Sequence, residues 1–323
     1  MTKQNILAGS AKHLEQTGLR PMEYLALDLV PKGNGCDFGC IDCCNARDTP
    51  SRRMPLKKIK PLIQEAKDLG ARVVVFMGIK EPTLDPRFKR IVEEAHRNKM
   101  IPYVFSNAYH GLTPQMISFL HDHDASMVIQ LKSLEERTFE NHSQRKRSFK
   151  LVMQHLDQLR KIFSDTYRSE GAYGIRRIAT NTVVDDTNKH EIKQIMAFCG
   201  NDLIPIFNTE MKIGAAENNP AIRTTQEIVQ AIKTSAPDMI PLGTTSDGKW
   251  CAYMRNGIAI MEGQVLLCPY AIESAGKLGN TQQGLAPITK AANSTFDNFY
   301  RNEYPRCILR DEKYTQLIES LGK

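Results

Sequence analysis

The segment Tyr24-Leu-Ala-Leu-Asp-Leu-Val30 is followed, after a short polar stretch, by Cys36-Asp-Phe-Gly-Cys40-Ile-Asp-Cys43. The first part is a nearly continuous apolar run, which is typical of a strand buried on both faces of a parallel sheet. In parallel α/β sheets the chemistry gathers where the strands end. The sequence therefore predicts that the three cysteines stand at the carboxyl end of the first strand.

Five further apolar segments alternate with amphipathic segments, which predicts six β/α units. The later strands are predicted at 71–77, 101–105, 125–131, 177–184 and 203–209, with helices at 56–69, 86–98, 134–163 and 189–198 and one more that Thr113 caps. Six units are too few for a closed barrel of eight strands. The predicted fold class is therefore α/β, a partial (β/α)6 barrel of the TIM type.

The alternation of strands and helices stops before the last quarter of the chain. A stretch rich in Gly, Ser, Thr and Asp at 239–249 is typical of a linker, and a hairpin is predicted at 258–267 with Glu262-Gly263 at its turn. We therefore expect a core domain over 1–240 and a small C-terminal extension over 241–323.

Composition excludes several classes of protein. The chain has 323 residues, of which 41% are hydrophobic and 24% charged, enough to bury a core. No apolar run approaches the roughly 20 residues that span a bilayer, and the N-terminus lacks a signal peptide, so we expect a cytoplasmic protein with no membrane partner. The net charge is +7, with one dense cluster at Arg145-Lys146-Arg147. Short clusters of this kind are usually solvated loops, so nucleic acid is an unlikely partner.

The eight cysteines indicate metal or redox chemistry, because disulfides are rare in a reducing compartment. Cys36, Cys40 and Cys43 lie close enough in sequence to converge, and neighbouring glycines let the backbone wrap around them. Three ligands leave one iron of a [4Fe–4S] cluster open to a small molecule. Zinc would require a further ligand from a distant part of the chain, and a zinc site stays an alternative.

The C-x3-C-x2-C spacing after the first strand, with Phe38 inside it, resembles the signature of the radical S-adenosylmethionine enzymes. The resemblance implies that Cys36, Cys40 and Cys43 hold a [4Fe–4S] cluster whose open iron is chelated by S-adenosylmethionine. It also implies an external electron donor such as flavodoxin or ferredoxin. Electron transfer would then cleave the sulfonium and give a 5′-deoxyadenosyl radical, chemistry that belongs to the cofactor.

A second resemblance lies after the second strand, where the family has a Gly-Gly-Glu-Pro turn that binds the methionyl amino group. Glu81 and Pro82 match this turn, whereas Ile79 and Lys80 stand in place of the glycines. The other residues that the resemblance places at the cofactor are Phe38, Ser106, Asn107, Lys132 and Ser133.

The C-terminal pattern Cys251, Gly263, Cys268, followed by Gly279-Asn280 and Cys307, resembles the SPASM or shorter twitch extension of these enzymes. The resemblance implies an auxiliary [4Fe–4S] cluster with Cys251, Cys268 and Cys307 as metal ligands. The remaining thiols, Cys44 and Cys199, are expected to be buried small hydrophobic groups.

Two outcomes suit this arrangement once hydrogen has been abstracted from the substrate. Loss of an electron to the auxiliary cluster gives a dehydrogenated product, whereas return of hydrogen by Cys251 or Cys199 gives an epimer. The first strand begins at residue 24, which leaves little room for a leader-recognition domain and favours a small-molecule substrate. The resemblance is to oxidoreductases and epimerases that tailor sugars and aminocyclitols in antibiotic biosynthesis. The alternatives are a maturase of ribosomally made peptides and a zinc- or RNA-binding protein without radical chemistry.

Overall fold

The computed structural model describes residues 22, 24–29, 36–43, 53–77, 80–164, 168–170, 173–175, 177–209, 214–216, 226–236, 257–268 and 277–290. Its strands are β1 (Tyr24–Leu27), β2 (Val73–Phe76), β3 (Ile101–Ser106), β4 (Ser126–Gln130), β5 (Arg168–Glu170), β6 (Tyr173–Ile175), β7 (Ile178–Val183), β8 (Ile204–Asn208), β9 (Gly257–Met261), β10 (Gln264–Leu266) and β11 (Lys277–Asn280). Its helices are α1 (Leu56–Asp68), α2 (Phe88–Arg97), α3 (Pro114–Asp122), α4 (Glu136–Ser143), α5 (Ser148–Ile162), α6 (Ile192–Cys199) and α7 (Gln226–Ser235).

Nine of these strands form one open sheet in the order β11-β10-β9-β1-β2-β3-β4-β7-β8, and β5 pairs with β6 separately. From β1 through β2, β3, β4 and β7 to β8, each strand pairs in parallel with the next. A helix lies between each strand and the next along this series. The six predicted β/α units and the α/β fold class are therefore confirmed.

The two faces of the sheet bury different residues, because side chains alternate along a strand. One face packs against the helices and carries the larger apolar cluster, which includes Leu25, Phe76 and Ile129. We call it the helix-covered face. The other, called the inner face, carries a smaller cluster: Ala26, Val75, Met77, Tyr103, Val128, Ala179, Ile206, Ala259, Met261 and Leu266.

Helix boundaries follow local capping signals in several places. The predicted cap of α3 is confirmed, because the Thr113 hydroxyl accepts a hydrogen bond from the Met116 amide at 3.2 Å. α1 ends before Gly70, which has a φ of 99° that favours glycine. Among the described residues, no helix combines the length and apolar character needed to cross a membrane.

The single helix predicted over 134–163 is wrong, because the structure has two helices there. α4 ends at Ser143, and the left-handed residues Gln144 (φ 52°) and Arg147 (φ 61°) separate it from α5. The last carbonyls of α4 are used elsewhere: the Ser143 and His142 oxygens accept hydrogen bonds from the amides of Gly39 and Ile41, both at 3.0 Å. A contact distant in sequence therefore accompanies the break in the helix.

The predicted hairpin is present as β9 and β10, with Glu262 and Gly263 in the turn at φ values of 52° and 87°. Two positive φ values in a two-residue turn match the right-handed twist of the strands that it joins. β9 pairs in parallel with β1, so the hairpin continues the sheet of the core. The boundary predicted at 240/241 lies outside the described residues and stays a prediction.

The pairing of β9 with β1 leaves no space for a side chain at Gly257, which allows a test of the fold. A methyl group there would collide with the Tyr24 carbonyl oxygen and approach the Tyr24 ring to 2.5 Å. Because overpacking of this kind costs about 1–3 kcal/mol, we expect Gly257→Ala to lower the free energy of unfolding of the apoprotein by that amount in urea. The matched control is Gly39→Ala, whose added Cβ meets its nearest neighbour at 3.5 Å. Equal stability of the two variants would contradict the pairing of β9 with β1.

Candidate active site

The segment from Cys36 to Cys43, called the cysteine loop, follows β1 and contains no helix or strand. Its form depends on hydrogen bonds to other parts of the chain. Besides the two bonds to the end of α4, the Arg145 side chain donates from Nε to the Asp37 carbonyl at 2.9 Å. The Ala215 amide donates to the Cys43 carbonyl at 2.9 Å, so the segment after β8 also holds the loop. One arginine of the basic cluster therefore supports the cysteine loop.

Cys36, Cys40 and Cys43 are not joined in disulfides, and all three are partly exposed. Burial raises the pKa of Cys36 to about 11 and that of Cys40 to about 12, although the ammonium of Lys132 lowers the latter. The charge of Cys43 raises the pKa of both Cys36 and Cys40, and the charge of Cys36 raises that of Cys40.

These thiols suit a cluster better than a single ion. Within the described part of the chain, the only three candidate ligand atoms that lie within 4.8 Å of one another belong to Glu135, His190 and Glu191. At least two of the three sulfurs are therefore more than 4.8 Å apart, farther than two thiolates that each bind one tetrahedral zinc at about 2.3 Å. In a [4Fe–4S] cluster the thiolates bind separate irons, so the donor set and its spacing fit that group.

Asn107 connects the end of β3 to the cysteine loop. Its amide Nδ2 donates to Asp37 Oδ1 at 2.7 Å and lies 3.8 Å from the sulfur of Cys36. The backbone amide of His110 donates to the second oxygen of Asp37 at 3.2 Å. The structure therefore brings Asn107 next to a predicted metal ligand, as the sequence places it.

Glu81 is buried beside this connection and accepts four hydrogen bonds. Oε1 receives the amide and hydroxyl of Thr83 at 3.3 and 2.5 Å and the Ser106 hydroxyl at 2.9 Å. Oε2 receives the Asn107 amide at 2.8 Å. Burial raises the pKa of Glu81 by more than the hydrogen bonds from Asn107, Thr83 and Ser106 lower it, so its pKa lies above the ordinary value. The hydrogen bonds of Glu81 thus link the segment after β2 to the end of β3. The negative charge of Glu81 also raises the pKa of the Cys36 thiol.

Phe38 and Ser133 are held by neighbours within the chain. The Phe38 ring is buried, with its centroid 5.2 Å from that of Tyr109 and 6.3 Å from that of Phe139. The Ser133 hydroxyl donates to buried Glu191 at 2.6 Å and accepts from the amide of Glu135 at 2.9 Å, at the start of α4. Through these hydrogen bonds Ser133 helps to hold the start of α4. Its contact with the cofactor stays a prediction.

Lys132, expected to face the cofactor, points toward the cysteine loop. Its Nζ donates to both carboxylate oxygens of Asp42, each at 2.8 Å, and both side chains are buried. Burial lowers the pKa of Lys132, but the Asp42 carboxylate and the other negative charges nearby raise it by more, so the lysine is charged. The partner lies inside the cysteine motif, one residue before Cys43.

Sequence reasoning missed a row of amides on the inner face. Asn208 of β8 donates from Nδ2 to Oδ1 of Asn181, which itself donates from Nδ2 to Oε1 of Gln130 at 2.9 Å. We call these three residues the amide row. Each lies two residues beyond a member of the inner apolar cluster, so alternation from Val128, Ala179 and Ile206 was a signal that could have found them.

Of the thiols outside the cysteine loop, the structure describes those of Cys199 and Cys268. Cys199 lies on the helix-covered face, where its sulfur is 3.3 Å from the Thr180 hydroxyl. The predicted role of Cys199 as a hydrogen donor stays a prediction. Cys268 is buried just beyond β10. Cys44, Cys251 and Cys307 lie outside the described residues.

The hydrogen bonds of Glu81 generate a stability test. We expect Glu81→Gln to destabilise the apoprotein by about 1–3 kcal/mol in urea, because an amide group would place a buried donor against other donors. Glu136→Gln is the control, since that side chain is about half exposed and its Lys150 partner is 3.9 Å away. A Glu81 variant as stable as the control would mean that its four hydrogen bonds do not organise the site.

The model of the Radical SAM superfamily matches residues 30–199. A search of curated protein sequences found no match. Among solved structures, the chain is similar to SuiB of Streptococcus suis bound to S-adenosylmethionine, with a TM-score of 0.61, 13% identity, 86% of this chain and 68% of that chain covered. In SuiB bound to the precursor peptide SuiA, the TM-score is 0.58 with 13% identity, and the match covers 82% of this chain and 64% of SuiB.

A third similar structure is native anSMEcpe with bound AdoMet, with a TM-score of 0.60 and 12% identity, and coverage of 84% of this chain and 82% of that chain. At these identities the likeness concerns the fold. The match to the superfamily model spans more than half of the chain and includes the cysteine loop, Glu81 and Asn107. The chain therefore belongs to the radical SAM superfamily, whose enzymes use a [4Fe–4S] cluster and S-adenosylmethionine.

Proposed function

We propose that this enzyme abstracts hydrogen from a C–H bond of a small hydroxylated or amino sugar or aminocyclitol and dehydrogenates or epimerises it, in natural-product biosynthesis. The observation that carries the proposal is a cysteine loop held against the carboxyl ends of β3 and β4, on a sheet whose inner face carries the amide row. When bound, the cluster and S-adenosylmethionine supply the 5′-deoxyadenosyl radical. Cys36, Cys40 and Cys43 are the proposed cluster ligands.

Neighbouring residues are proposed to prepare this site for the cofactor. The Asn107 amide, 3.8 Å from the sulfur of Cys36, supplies a donor at the thiolate. Glu81 supplies a buried negative charge beside it, suited to the methionyl amino group, and Ser106 holds that carboxylate through a 2.9 Å hydrogen bond. Phe38 closes the apolar side of the loop. Together these groups are proposed to bind and orient the cofactor and to exclude water from the site.

The amide row supports a polar substrate of modest size. An amide side chain both donates and accepts hydrogen bonds, which suits the hydroxyl and amino groups of a sugar or aminocyclitol. The surrounding inner face is apolar, with Ala26, Ala179 and Ala259 among its smaller members. Pockets for small molecules commonly combine apolar walls with a few polar groups. SuiB and anSMEcpe have been solved with peptides, so peptides are the comparison class in the substrate test.

The C-terminal thiols form a second part of the proposal. Cys251, Cys268 and Cys307 are proposed to bind an auxiliary cluster in a twitch-like domain over 241–323, and Cys251 is the alternative hydrogen donor. A cytoplasmic location with flavodoxin or ferredoxin as electron donor suits free cysteines, which a reducing compartment maintains.

The metal content tests the cluster assignment. We expect the anaerobically reconstituted wild type to hold about eight irons and the Cys36/Cys40/Cys43→Ala variant about four, as two tetranuclear clusters require. The variant should also lose formation of 5′-deoxyadenosine from S-adenosylmethionine and dithionite. Cys199→Ala serves as the control because its thiol lies on the helix-covered face, and it should keep both. Unchanged 5′-deoxyadenosine in the triple variant would refute the assignment.

A substrate panel tests the chemical class. We expect amino sugars or aminocyclitols to raise 5′-deoxyadenosine formation above the substrate-free rate, and we expect Asn181→Leu to raise KM because it breaks the amide row. Deuterium from D2O in the product indicates epimerisation, whereas a two-electron oxidised product indicates dehydrogenation. Loss of deuterium incorporation in Cys251→Ala, with iron content preserved, would identify the donor. Stimulation by peptides instead would overturn the sugar assignment.

A further inference from the structure

We propose that Lys132 and Asp42 form a positioning pair that fixes the cysteine loop on the end of β4 and sets the electrostatic environment of the cluster. This inference rests on the proposed function, because it concerns the cluster that the loop would hold. It adds two charged residues that bind neither iron nor substrate.

Lys132 and Asp42 form a buried ion pair with two short hydrogen bonds. Asp42 lies between Cys40 and Cys43, and its side chain is 1% exposed, against 7% for Lys132. Both carboxylate oxygens accept from Lys132 Nζ at 2.8 Å. The backbone of Lys132 is fixed too, since its carbonyl accepts from Asn188 Nδ2 at 3.0 Å. The same Asn188 amide donates to the Val183 carbonyl, so β7 anchors the lysine.

Stability alone does not account for such a pair. Desolvation of two charges is expensive, and apolar replacement of a buried ion pair is often neutral or stabilising. Removal of one partner is different, because it leaves an uncompensated charge in a buried place. A pair within the cysteine motif therefore points to a role at the motif itself.

The charges act on the thiols with opposite signs. The Lys132 ammonium and the Asp42 carboxylate are both buried, and Asp42 stands one residue before Cys43 and two after Cys40. A positive charge stabilises thiolates and the added electron of a reduced cluster, and a negative charge opposes both. Neutralising the two partners one at a time should therefore shift the reduction potential of the cluster in opposite directions.

The test compares Lys132→Met, Asp42→Asn and the double variant in the full-length reconstituted protein. The readout is a redox titration of the electron paramagnetic resonance signal that changes on addition of S-adenosylmethionine, with iron and sulfide measured alongside. We expect Lys132→Met to make reduction harder and Asp42→Asn to make it easier. A tenfold change in the ratio of reduced to oxidised cluster corresponds to 59 mV for one electron. The double variant should return toward wild type.

The matched control is the exposed ion pair of Lys189 and Glu227, whose atoms are 2.9 Å apart, against 2.8 Å in the buried pair. Lys189→Met and Glu227→Gln should leave the titration unchanged. Shifts of the same sign, or no shift in fully loaded Lys132 and Asp42 variants, would overturn the proposal.

Loss of iron in the single variants leads to a second comparison. The double variant carries no uncompensated charge, so it should regain at least half of the wild-type iron, and a double variant as empty as the singles would contradict the proposal. Failure of the proposed function has a different signature, because the wild type itself would then hold no iron that depends on Cys36, Cys40 and Cys43.

Discussion

A charge that is buried at the carboxyl end of the sheet needs a partner, and this requirement organises the structure around the cysteine loop. Glu81 is satisfied by donors from the ends of β2 and β3, and Asp42 by Lys132 from the end of β4. Glu191 is satisfied by Ser133 and by the amide of Leu134. An unpaired buried charge is strongly destabilising. The irregular loop therefore takes its form from neighbouring strand ends and from the end of α4 rather than from its own sequence.

The strand series could be predicted from the sequence because it depends on local apolar runs. All six predicted strands are present, in parallel and in chain order. What could not be predicted rests on contacts between distant residues. The break between α4 and α5 accompanies the use of the Ser143 carbonyl by Gly39, and the addition of β9 to β1 requires Gly257 beside Tyr24. No periodicity in either segment carries that information.

The candidate site could likewise be predicted from the sequence only in part. The structure brings Glu81, Ser106 and Asn107 to Cys36, because parallel strands deliver their carboxyl ends to one edge. The partner of Lys132 could not be predicted from spacing, since 90 residues separate it from Asp42. The sequence can therefore place a polar residue that follows a strand at the carboxyl edge of the sheet. Its contact partner there depends on the tertiary structure and cannot be deduced from the sequence.

Alternation along the strands decides which side chains can meet a ligand on the inner face. Thr180 and Asn181 are adjacent, yet Thr180 contacts Cys199 under the helices while Asn181 joins the amide row. A shift of one residue would exchange the two faces. Buried polar residues of one strand thus have separate roles: Thr180 contacts the helix layer, and Asn181 joins the amides of the inner face. This separation allows the inner face to be polar where a substrate would lie without weakening the core that holds the sheet.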